Sequence, residues 1–66
     1  MDTYISHSSW RREEWKGHPS KEGARRAILY NRGRSAVLTI FRLERGSAGL
    51  AYRVVPQEYW DLEFAD

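Results

Sequence analysis

From Ser35 to Glu44 the chain carries Val37, Leu38, Thr39, Ile40 and Phe41, mostly β-branched or aromatic, which suits a pleated, half-buried surface. Arg45 to Gly49 reads as a loop and Leu50 to Val55 as the next strand. If that loop closes an antiparallel hairpin, Leu43 opposes Leu50, Phe41 opposes Tyr52 and Thr39 opposes Val54. That face is apolar and is expected to be the core. The other face carries Arg42 beside Ala51 and Arg53 beside Ile40, with Leu38 and Val55 further along. Period-two alternation preserves this partition even if the register slips by two residues.

Upstream, the β-compatible run Ala27-Ile28-Leu29-Tyr30 predicts a strand over about 25–31, preferred to a helix from Ser20 because Gly23 would fall in its first turn. Asn31-Arg32-Gly33-Arg34 then forms a tight hairpin turn, with Gly33 free to take positive φ. Ser8 or Ser9 as N-cap, Glu13 and Glu14 in the early turns and Gly17 before Pro19 predict a short helix over about 9–16. Residues 2–8 form a short strand or an arm anchored by Tyr4 and Ile5, and 18–23 a polar connector. In the tail, Trp60-Asp61-Leu62-Glu63-Phe64 alternates apolar and acidic at every step. This favours a fourth strand, with Trp60, Leu62 and Phe64 in the core, over the helix that Pro56 at a first helical position would start. The fold class expected is α+β: one short N-terminal helix packed on a three- or four-stranded antiparallel β-meander.

With 66 residues the chain makes one small domain, and with no cysteine it has neither a disulfide framework nor a thiolate metal site. Its 41% hydrophobic and 30% charged residues are those of a globular chain. Apolar runs stop at three or four residues, so neither a membrane span nor a signal-peptide core is expected, and a cytoplasmic location is the default.

The formal charge of +2 hides a segregation. Residues 1–24 balance, 25–53 hold seven arginines against Glu44 alone, and 54–66 hold four acids and no base. Such a chain either neutralises itself by folding tail onto middle or presents patches of opposite sign. Nine arginines, three tryptophans and four tyrosines are residue types that concentrate binding energy at interfaces. Arg42 and Arg53 on one sheet face, with Arg32 and Arg34 at the adjacent turn and Tyr30, Tyr52 and Arg26 nearby, form a candidate partner-binding surface, with Trp10 or Trp15 as a second anchor. The plainer reading lays the Arg42 and Arg53 stems over Ile40 and Ala51 as packing alone.

Candidate chemistry changes little. His7 and His18 lack the convergent ligands of a metal site, and neighbouring residues such as Ser6-His7 rarely reach catalytic geometry. Glu13 and Glu14 point about 100° apart on a helix, and the glycines match no phosphate-cradling loop. A four-stranded sheet with one helix is expected to enclose little pocket volume. No enzyme and no cofactor is expected. The function expected is a small protein-binding module, a regulator or inhibitor that occludes a surface of a larger complex, of the size and character of phage and mobile-element accessory proteins. The alternatives are a nucleic-acid-binding protein using an Arg/Tyr sheet face, and a self-associating subunit, a homodimer joined through an edge strand at 57–64.

Overall fold

The computed structural model describes residues 2–10, 14–34 and 37–65. Four strands form one antiparallel sheet: β1 (Tyr4–Ser8), β2 (Glu14–His18), β3 (Leu38–Gly46) and β4 (Gly49–Val55). Helix α1 (Lys21–Tyr30) joins β2 to β3, and a 3-10 turn (Gln57–Tyr59) leads into the short helix α2 (Trp60–Glu63). The class is α+β, but the sheet is not a meander. Its order is β2-β1-β3-β4, so the first strand lies inside and β2 and β3 run the same way on either side of it.

The expected N-terminal helix over 9–16 is replaced by β2, with residues 11–13 outside those described. A strand forms here because Trp15 gains ring contacts on the sheet that a lone two-turn helix would not offer: His7 at 4.2 Å and Phe41 at 5.9 Å between centroids. The helix lies instead where a strand was expected over 25–31. Ser20 caps it, its hydroxyl accepting from the Gly23 amide at 3.4 Å, and Glu22 pairs with Arg26 one turn on. Ala24, Ala27, Ile28 and Asn31 fall at helical spacing on the face turned to the sheet, while Leu29 and Tyr30 of the run that resembles a strand are exposed. Asn31 closes the helix, its backbone amide and its side-chain amide both donating to the Ala27 carbonyl. Gly23, the apparent obstacle to a helix, is what lets it approach the sheet, since a Cβ there would stand 3.1 Å from the His18 Cβ. Gly33 does take positive φ (85°), in the turn that leaves α1 rather than in a hairpin.

Strands β3 and β4 form where expected, Ser35 and Ala36 lying outside the described residues. Ser47 and Ala48 make the turn, and Gly49 takes φ 114° at its exit. The register is two residues from the expected one, pairing Phe41 with Val54, Leu43 with Tyr52 and Ile40 with Val55. The face partition survives, but its burial is inverted. Leu38, Ile40 and Val55, on the face that carries Arg42 and Arg53, join Tyr4, Ala24, Trp60 and Phe64 in the core. Both helices cover this side. The tail is helical rather than a fourth strand, which buries Trp60 and Phe64 one turn apart and leaves Leu62 80% exposed. The Trp60 indole N–H donates to the Val55 carbonyl at 3.0 Å, fixing the tail where β4 ends.

Candidate functional site

Covering one side of the sheet leaves the other bare. Alternation and register place Ile5 and His7 of β1, Trp15 of β2, Thr39, Phe41, Leu43 and Arg45 of β3, and Leu50, Tyr52 and Val54 of β4 on this open face. Trp15 is 61% exposed, Val54 55%, Leu50 48% and Tyr52 37%. The rings of His7, Trp15 and Phe41 run in a row across three strands, held by packing against one another. Of these strand positions Arg45 carries a permanent charge, and the Asp2 carboxylate lies over Gly17 on the same face. Large apolar patches of this kind mark interaction sites.

Arg42 and Arg53, expected to share a surface with Tyr52, do not do so. Arg42 and Arg53 sit side by side on the covered side of the sheet, whereas Tyr52 points to the open face and donates to the Asp2 carbonyl at 2.7 Å. Glu44 and Glu63 occupy Arg42, and Glu44 also lies 3.3 Å from the Arg53 guanidinium. The Tyr4 hydroxyl donates to Glu63 at 2.7 Å. Burial, and then the hydrogen bond to Glu63, push the Tyr4 phenol up to about 12. The hydrogen bond to Glu44 raises the Arg42 guanidinium above its ordinary value. This network ties α2 to the sheet, which is the neutralisation of middle by tail that the charge pattern allowed.

The remaining predicted residues gather at the far end of α1. Trp10 donates to the Asn31 side chain at 3.2 Å, and the Arg34 guanidinium lies 3.7 Å over the Trp10 ring. Tyr30 ends the helix, 78% exposed, and Arg32 follows in the exposed turn. Trp10, Tyr30 and Arg26 line a groove of about 580 Å³ between α1 and the covered side of β1 and β2. A groove of this size was not expected from so small a sheet. Beside it lies a pair that sequence reasoning missed: Ser6 Oγ and His18 Nε2, 2.9 Å apart and buried. The local signal was Ser6 next to His7, but alternation sends His7 to the opposite face, while pairing of Tyr4 with His18 brings the distant histidine in. No acid hydrogen-bonds His18 among the described residues, so the pair lacks the orienting third member of a catalytic triad. Nearby Ser8 Oγ is buried without a hydrogen-bond partner among the described residues.

Burial, with Lys16 adding, pushes the His18 imidazole below its ordinary 6.5, against a smaller opposing effect of Asp2. The folded chain therefore holds His18 neutral, and the unfolded chain takes up the proton first as the solution is acidified. Stability is full above about pH 6.5 and falls as pH drops below it towards the depressed folded value. Thermal unfolding followed by circular dichroism between pH 8 and 5 should show this loss, and His18→Gln should flatten it. An unchanged slope in His18→Gln would assign the acid sensitivity to other groups.

No protein-family model, curated protein or solved structure matches the chain. No described helix is long and apolar enough to cross a membrane.

Proposed function

We propose that the chain is a non-enzymatic protein-binding module whose contact surface is the open face of the sheet, acting as a regulator or inhibitor by covering a surface of a larger partner. The carrying observation is the exposure of Trp15, Leu50, Tyr52 and Val54 together on one face. Trp15 is the anchor: an exposed indole pre-set by its contacts with His7 and Phe41 loses little side-chain freedom on docking. Single-strand binding is the less favoured reading. It would use the same rings for stacking, but the phosphates need a basic track, and Arg42 and Arg53 are turned to the other side and held by acids.

Affinity capture from native extract, with and without nuclease, separates the two. Wild-type chain should retain a stoichiometric protein after nuclease, and Trp15→Ala should weaken that retention by about 2 kcal/mol, roughly thirtyfold, with the far-UV spectrum intact. Retention lost to nuclease, or oligonucleotide binding at about 50 mM salt, would favour nucleic acid. Capture untouched by Trp15→Ala would remove the open face from the interaction.

A further inference from the structure

The two edges of the sheet are built differently. β2 carries Glu14 and Lys16 and is five residues long, a charged edge of the kind that resists pairing. β4 is seven residues long, exposed from Gly49 to Val54, and paired to β3 without a bulge. It contains no proline and no lysine, and the following helices pack on the covered side rather than along the strand. Its one charged side chain is Arg53, and neither proline nor bulge blocks a further strand.

We infer that the β4 edge pairs with β4 of a second copy, antiparallel about a two-fold axis at Tyr52, giving one continuous eight-stranded sheet. Three observations select this occupant and this register. First, strands related by a two-fold within one sheet must oppose residues of the same facing, so the axis passes through a residue. Tyr52 is the midpoint of Gly49–Val55, and only there does the whole strand pair. Second, this register sets Leu50 opposite Val54 of the second copy on the open face, and an axis one residue later would set Arg53 against itself. Third, on the covered side Arg53 faces Ala51 of the second copy, whose small side chain leaves room for the guanidinium. The cross-strand neighbour of that Ala51 is Glu44 of the second copy, the same acid type that Arg53 holds at 3.3 Å in its own chain. The edge is thus complementary to itself in charge as well as in shape. The pairing uses backbone groups at the rim and leaves Trp15 and Phe41 uncovered, so it stands apart from the partner-binding reading above.

Two measurements test it. Sedimentation from about 10 to 500 μM should show association towards twice the 7.8 kDa chain mass. Ala51→Lys should reduce that association at least tenfold: the new ammonium faces Glu44 within its own chain but opposes Arg53 of the other copy. Adding Arg53→Glu to Ala51→Lys should restore it. Register is read independently with single cysteines, since the chain has none of its own. Tyr52→Cys puts the two Cα atoms about 4.5–5.5 Å apart, within disulfide range. Leu50→Cys leaves them about 14 Å apart, because its opposite number is Val54. Diamide should therefore cross-link Tyr52→Cys at least tenfold faster than Leu50→Cys. A wild-type chain that stays monomeric throughout, a dimer indifferent to Ala51→Lys, a double variant that stays monomeric, or equal cross-linking at both positions would each overturn the inference. Loss of partner capture in Trp15→Ala is expected to leave the dimer unchanged.

Discussion

An Ile40→Ala chain should be mostly unfolded at 37 °C. Ile40 is fully buried at the centre of the sheet, paired to Ser6 on one side and Val55 on the other, beneath the side chains of both helical segments. Truncating such a residue costs about 2–5 kcal/mol, from lost transfer energy and the cavity left behind. A core in a chain of this size rarely supplies more than about 3–5 kcal/mol, so one substitution is comparable to the whole margin. Urea denaturation followed by circular dichroism measures it. A loss below about 1 kcal/mol would mean that the site collapses around the missing methyls or that another residue holds the centre.

Phe64→Ala should destabilise by about 3–5 kcal/mol, whereas Leu62→Ala, two residues away, should stay within about 0.5 kcal/mol. The Phe64 ring is buried and lies 5.3 Å from Tyr4 at a tilted angle, while Leu62 projects into solvent. The pair discriminates between two conformations of the same segment. In a strand the two side chains would share a face and cost alike; with Leu62 in α2 and Phe64 as its C-cap, one is exposed and the other buried. Equal losses in the urea midpoint would mean the tail adds to the sheet as a strand.

The same segment shows why part of the fold was hidden in the sequence. Over 60–64 the spacing of Trp60 and Phe64 satisfies both periods, since four residues make two strand repeats and about one helical turn. Pro56 was the better guide. A related ambiguity affected 24–31, where alanines and Ile28 fill a helical stripe and also resemble a β run. Gly23 decided against the helix locally, yet its reason is a contact with His18, which no local reading contains. Around β3 and β4 the strands and the division of their faces were readable because alternation is a property of each strand alone. Which face is covered depends on elements elsewhere, and the more apolar face was left uncovered. The candidate surface therefore shifts from guanidinium groups to rings. The segregated charge was visible, but its use was internal, with Glu44 and Glu63 occupying Arg42.

The inner position of β1 bears on how the chain assembles during synthesis. Tyr4 to Ser8 leave the ribosome before the other three strands and find β2 within a few residues, but their other flank waits for β3, where Tyr4 meets Arg42. Until then the nascent hairpin displays an unpaired strand, and the sheet closes only through a long-range step of the slow kind. The β3–β4 hairpin, joined by the tight Ser47-Ala48 turn, can form quickly once made and arrive as a finished template. Translation should therefore yield two hairpins that zip together late, with β1 against β3 as the seam.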